Sequence, residues 1–180
     1  MVALLLADGF EEIEALTPVD VLRRAGIDIT TFSISEELCV CGSHGILVDA
    51  DDSILNIDYA DVDAVILPGG LKGTENLENS KDVESLLEHM HENKKLICAI
   101  CAAPRILGKL GYLDGRTATC YPDFDDCLGD AKYSDERVVV DRGVITSRGM
   151  GTAMDFSLAI VEYIKDKAAA ERIARNTMYK

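Results

Sequence analysis

Short apolar runs that alternate with helix-patterned stretches constrain this chain more than any other feature. Residues 2–7, 27–34, 63–67 and 96–100 are strand-like runs bounded by glycine, proline or charged residues. Residues 10–25 carry Ile13, Leu16, Val19, Val21 and Leu22 at helical spacing, and Gly26 is a natural stop. Pro18 is predicted to kink or restart that helix. Residues 80–91 predict a second helix, with Ser80 as N-cap and Val83, Leu86, Leu87 and Met90 as its apolar face. Residues 117–120 read as a strand, 122–130 as an acidic loop, and 138–141 and 144–147 as strands around a turn. Two more helices follow, over 152–165 and 168–178. A hairpin is expected over 38–48, with Gly42-Ser43-His44-Gly45 at its tip. Strands that alternate with helices imply an α/β fold with a mostly parallel, doubly wound sheet covered by helices on both faces. With 180 residues and neither repeat nor linker, one domain over 1–180 is expected.

In such sheets, sites gather at the C-terminal ends of the strands. Three loops meet that description: 8–14, 68–73 and 99–104. The last lies in the stretch KLICAICAAPRIL, where an apolar run ends abruptly at Cys101. Ala102 and Ala103 leave room for a sharp bend, and Pro104 suits a first helical turn. A thiol on that bend would meet two free N–H groups and the positive end of a helix, which favour the thiolate. A packed, inert cysteine weighs equally on position alone. Pro68-Gly69-Gly70 and Ala102 offer converging backbone donors, as an oxyanion hole requires. Glu11, Glu12 and Glu14 bring carboxyls to the same region. One of them can face the thiol and donate a proton if its pKa is raised; the other two read as solvated helix-start acids.

The remaining chemistry-bearing residues read as structural. Cys98 and Cys101 form C-x-x-C, but Cys98 lies inside the strand and is expected to pack in the core. Cys39 and Cys41 lack a second pair at zinc-site spacing, so no metal is expected. Cys120 and Cys127 flank the acidic loop. His89 and His91 are expected to be solvated on their helix, which leaves His44 as the one histidine able to reach a site. No phosphate-binding glycine loop occurs, and no cofactor is expected. A formal net charge of −14 opposes nucleic-acid binding or an anionic membrane surface. The opening MVALLLADGFEE reads as a strand rather than a signal peptide, and with no long apolar run the expected location is cytoplasmic, with reduced thiols.

Six segments, taken together, carry a family likeness: Gly9-Phe10-Glu11-Glu12-Ile13-Glu14, Pro18-Val19-Asp20, Arg23-Arg24-Ala25-Gly26, Leu67-Pro68-Gly69-Gly70, Ala99-Ile100-Cys101-Ala102-Ala103-Pro104, and Thr146-Ser147-Arg148-Gly149 with Gly151-Thr152. The chain resembles the ThiJ/PfpI superfamily, most closely its parkinsonism-associated deglycase branch and bacterial relatives. The resemblance implies a flavodoxin-like homodimer in which Cys101 is the elbow nucleophile, easily oxidised to the sulfinate. Glu14 would be the buried protonated acid bonded to it, and Gly70 and Ala102 the backbone donors. Arg24 matches a basic residue near a dimer-face pocket. Two positions depart from the pattern. Tyr121 precedes Pro122 where many members carry His, and His44 stands where close relatives place Arg.

The implied activity is a cofactor-free glyoxalase or deglycase acting on methylglyoxal, glyoxal or their early adducts on amines and thiols. The alternative is an oxidative-stress sensor or chaperone-like dimer read out by Cys101 oxidation. A peptidase or amidase fits less well, because Tyr121 removes the expected histidine base.

Overall fold

The computed structural model describes residues 1–179. In chain order the elements begin with β1 (Val2–Leu6), α1 (Glu12–Arg24), β2 (Ile29–Ser33), β3 (Cys39–Cys41), β4 (Leu47–Asp49), β5 (Asp52–Ser53) and β6 (Ala64–Leu67). There follow α2 (Leu71–Glu78), α3 (Lys81–Glu92), β7 (Leu96–Ile100), α4 (Pro104–Lys109), β8 (Thr117–Ala118) and β9 (Lys132–Tyr133). The chain closes with β10 (Val138–Asp141), β11 (Val144–Ser147), α5 (Ala153–Ile164) and α6 (Lys167–Asn176).

Seven strands form one sheet in the order β10-β11-β7-β6-β1-β2-β5. Every pairing is parallel except β10 with β11, a hairpin at the edge. Taken in chain order, the five long parallel strands run 2-1-3-4-5, the doubly wound flavodoxin-like arrangement. β1, β6 and β7 are apolar and buried at every position because helices cover both faces. Alternate residues feed opposite cores. Leu4, Leu6, Cys98 and Ile100 pack with Val19 and Leu22 of α1 and Phe156 and Ile160 of α5. Ala3, Leu5, Ile97 and Ala99 pack with Val83, Leu86 and Leu87 of α3 and Leu107 of α4. Each fully buried Leu or Ile contributes roughly 1.5–3 kcal/mol to this assembly. No helix among the described residues is long and apolar enough to cross a membrane.

Several expectations change. Pro18 does not restart α1, which runs unbroken from Glu12 to Arg24. Its missing N–H leaves only the Glu14 carbonyl without an intrahelical donor. Ile13 is 52% exposed and Leu16 is exposed too, so the inward stripe is Glu14, Ala15, Pro18, Val19 and Leu22. A carboxyl therefore takes a position the apolar pattern would assign to Ile13. Residues 71–73, read as part of the loop 68–73, instead begin α2 (Leu71–Glu78), whose sequence LKGTENLE gives almost no apolar periodicity. β8 pairs with β9 outside the main sheet. His89 is half-buried with its ring tilted on Tyr59, 5.8 Å between centroids, and His91 stacks on Tyr112 at 4.0 Å.

Candidate active site

The strand order reverses at β1, so the loops after β1 and β6 leave in opposite directions and open a crevice between them. The walls are tied together by backbone. The Glu11 N–H donates to Gly69 O at 3.0 Å, and the Gly73 N–H to Gly9 O at 3.1 Å. Gly70, at φ 87°, lies so close to Gly9 that any Cβ would strike the Gly9 carbonyl oxygen. At Gly69 a Cβ would sit 2.5 Å from Glu14 Oε2 and 2.6 Å from Cys101 Cβ. The Gly-Gly pair thus lets a loop approach both side chains at once.

Cys101 ends β7 in the left-handed region, φ 66°, a conformation that disfavours any L side chain by roughly 1–2 kcal/mol. Its surroundings hold it there: the Cys101 N–H donates to Ser147 O on β11 at 2.9 Å, and its carbonyl accepts from Tyr121 N–H at 2.8 Å. The bend presents the thiol to the N–H groups of Gly70 and Ala102, both of which donate toward it. Glu14, in the first turn of α1, is completely buried. Its Oε2 accepts from Gly69 N–H at 2.9 Å, while Oε1 has no hydrogen-bond partner among the described residues. The Glu14 carboxyl and the Cys101 thiol are hydrogen-bonded to each other.

The electrostatics differ from the sequence-based expectation of a favoured thiolate. Burial, then the negative charge of Glu14 and its hydrogen bond, push the Cys101 thiol up to about 12, against the pull of the Gly70 and Ala102 N–H groups. α4 is six residues long and begins after a further turn, so little helix dipole reaches the sulfur. Glu14 is raised to about 7, chiefly by burial, with the Glu11 charge adding and the bonds to Cys101 and Gly69 opposing. The two groups touch and titrate as a pair. The charge of Glu14 raises Cys101 only while Glu14 is ionised.

Of the other predicted site residues, Tyr121 flanks this centre. A Cβ on Gly149 would lie 3.2 Å from the Tyr121 ring and 3.7 Å from Glu14 Oε1, so Gly149 keeps the space over that oxygen open. His44 is held elsewhere. Its Nδ1 lies 2.8 Å from Glu12 Oε2, and its backbone N–H donates to Glu12 Oε1 at 2.7 Å. Arg24 sits in the last turn of α1, bonded to Asp20 at 2.7 Å; ten residues of helix beyond Glu14 carry it roughly 15 Å away along the axis. Within one chain it does not meet Cys101. Glu11 and Glu12 are not solvated: they are 8% and 6% exposed. Cys98 leaves the opposite face of β7 from Ala99 and is fully buried, and all six cysteines are free thiols. Sequence reading named Ser147 and Gly149 only as carriers of the family likeness, without a role at the site, and missed the bond from Gly69 to Glu14, whose signals are single residues far apart in the chain.

Residues 1–163 match the profile of the DJ-1/PfpI family. The Parkinson disease protein 7 homolog of Danio rerio is 40% identical over 173 residues, covering 94% of this chain and 92% of that protein. Protein DJ-1 homolog B of Arabidopsis thaliana is 39% identical over 171 residues; the match covers 94% of this chain but only 39% of that longer protein. Among solved structures, DJ-1beta of Drosophila melanogaster superposes with a TM-score of 0.94 at 37% identity, covering 98% of this chain and 96% of that one. Oxidised DJ-1 of Toxoplasma gondii superposes with a TM-score of 0.94 at 34% identity, covering 98% and 97%. Fold and sequence agree over nearly the whole length, and the chain belongs to the DJ-1/PfpI family.

Proposed function

We propose that this protein is a cysteine-dependent glyoxalase or deglycase that acts on methylglyoxal, glyoxal or their early adducts, without a cofactor and as a homodimer. The observation that carries this reading is the meeting of Cys101 with two backbone donors and a carboxyl raised to about 7. Sulfur attacks the aldehyde carbon as its proton passes to the Glu14 carboxylate. A C–S bond forms and the carbonyl π pair moves to oxygen. The Gly70 and Ala102 N–H groups hold that oxyanion, and protonated Glu14 returns the proton to it, giving the hemithioacetal. Glu14 then removes the proton from the former aldehyde carbon as the neighbouring ketone oxygen is protonated, giving an enediol, and a proton returns at the neighbouring carbon while the hydroxyl on the sulfur-bearing carbon loses its own. The resulting thioester is hydrolysed by water to lactate, freeing the thiol. Methylglyoxal plus water gives lactic acid, so no oxidant or reductant is needed. Ile13 and Leu16, exposed one turn apart on α1, offer apolar surface for a second copy.

The test is lactate formation from methylglyoxal by wild type and Cys101→Ala. Equal rates from the two would sink the assignment.

Redox sensing is the second reading, favoured by one observation: a relative of this fold has been solved in an oxidised form. Under that reading Cys101 is the first thiol to gain oxygen under limiting peroxide. Peptide mapping that finds exposed Cys39 or Cys127 oxidised first would remove it. A peptidase is disfavoured, because the hydrogen-bonded partner of the thiol is Glu14 and Tyr121 occupies the expected histidine position.

A further inference from the structure

A second cluster lies at the junction of the β3–β4 hairpin with the start of α1. Glu11, Glu12 and His44 place one ligand atom each within 4.8 Å of one another. The two carboxylates come from the turn before and the first residue of α1, and the imidazole from a hairpin tip more than thirty residues on. Gly42 makes the approach possible, since any Cβ there would strike the Glu12 carboxylate.

Counting protons shows what the cluster lacks. Glu12 Oε1 accepts from His44 N–H at 2.7 Å, and Glu12 Oε2 lies 2.8 Å from His44 Nδ1. Ser43 Oγ lies 3.1 Å from Glu11 Oε2, 3.0 Å from Glu12 Oε2 and 3.0 Å from His44 Nδ1, yet it carries one hydrogen. One hydrogen cannot serve Glu11 Oε2, Glu12 Oε2 and the imidazole at once. Among the described residues nothing donates to Glu11 Oε1, and His44 Nδ1 lies 3.9 Å from it. The Glu11 side chain is nine-tenths buried, at 10% exposure. Among the described residues no lysine or arginine pairs with Glu11 or Glu12. The two carboxyls therefore have His44 as their one ion-pair partner among the described residues, and Glu11 Oε1 is the oxygen left to be satisfied.

We propose that Glu11, Glu12 and His44 bind a divalent first-row transition cation, of which zinc is the representative, and that the ion pins the β3–β4 hairpin to the start of α1. Two carboxylate oxygens and one imidazole nitrogen are a ligand set such ions accept, with an open side for water. The exposed imidazole ring supplies that open side. On binding, neutral His44 moves its proton from Nδ1 to Nε2, while imidazolium releases one proton to solvent. Glu11 Oε1 gains the partner it lacks. The ion takes no part in the Cys101 step.

The test is calorimetric titration of zinc into the full chain, compared with His44→Gln and Glu11→Gln. Cobalt absorption is read alongside, because thiolate ligation gives an intense charge-transfer band that nitrogen and oxygen ligation do not. The expected result is one zinc per chain, affinity reduced about tenfold or more in each variant, no thiolate band, and a Tm that zinc raises in wild type but not in His44→Gln. His44 is exposed and a Gln amide can still donate to Glu12, so His44→Gln keeps the fold, and zinc leaves the Tm of that variant unchanged. No zinc binding by wild type, an affinity unchanged by His44→Gln, or a cobalt thiolate band unaffected by that substitution would each overturn the site.

Discussion

Glu12 and Glu14 stand two residues apart at the start of α1, both buried, and their carboxyls titrate in opposite directions. Burial is the largest single influence on each and pushes both upward. For Glu12, the His44 imidazole and N–H, its own N–H and the Ser43 hydroxyl outweigh burial and bring it to about 2. For Glu14, only the Gly69 N–H and the Cys101 thiol oppose burial, and it stays near 7. Depth alone does not decide a carboxyl's charge. The number of donors that reach it does, and about half a helical turn separates a firmly ionised acid from one poised to exchange a proton.

That contrast can be broken at several points. The largest effect belongs to Cys101→Ala, which removes the group Glu14 serves. Lactate formation should fall by at least about 10³-fold, as expected for loss of a covalent nucleophile. Glu14→Gln should lower kcat/KM by about 10²-fold, the smaller end of what a positioned acid–base contributes. The same substitution should stabilise the protein at alkaline pH. A carboxyl raised from 4.5 to about 7 leaves the fold fully stable below pH 4.5 and loses that stability as pH rises through 7. At pH 8 and above the loss approaches 3 kcal/mol, roughly 1.4 per unit. Denaturant melts of Glu14→Gln and wild type at pH 5 and pH 8 would check this, with the gap in favour of Gln widening at pH 8.

Glu12 should behave in the reverse sense. A carboxyl held at about 2 contributes stability that is present above pH 4.5 and lost as pH falls toward 2. Acid melts of Glu12→Gln should therefore show a flatter pH dependence between those values than wild type. Gly69→Ala tests the wall the two groups share. Its Cβ would press on Glu14 Oε2 and Cys101 Cβ, with a destabilisation of about 1–3 kcal/mol by thermal unfolding. The smallest change is expected from Tyr121→Phe, since the phenol hydroxyl bonds nothing among the described residues. Its kcat should stay within about twofold of wild type, as for a ring that contributes only a wall.

The parts of this arrangement legible in the sequence are those with local signals. Apolar runs located β1, β2, β6, β7, β10 and β11, and the abrupt end at Cys101 marked the bend. Ser80 marked the start of α3, and its side chain accepts from Val83 N–H as a cap should. α2 was illegible because it buries only Gly73, Thr74 and Leu77, so no stripe appears. The burial of Glu11 and Glu12 was illegible for another reason: it depends on the hairpin, whose Ser43 N–H donates to Phe10 O at 2.8 Å and folds His44 over them. The raised thiol was missed because helix dipole and free N–H groups can be read from a motif, whereas enclosure by Glu14, Gly69 and Tyr121 cannot.

The central claim is that Cys101 and Glu14 act as one proton-sharing unit, and the pH dependence of kcat/KM for lactate formation tests it most directly. Wild type should show an ascending limb near pH 7, where the pair loses its first proton and sulfur can attack with Glu14 as acceptor. Glu14→Gln should lose that limb and rise only at higher pH, where the thiol must ionise alone in a buried setting. An ascending limb near 7 retained in Glu14→Gln would contradict the coupling and leave Glu14 as a structural acid.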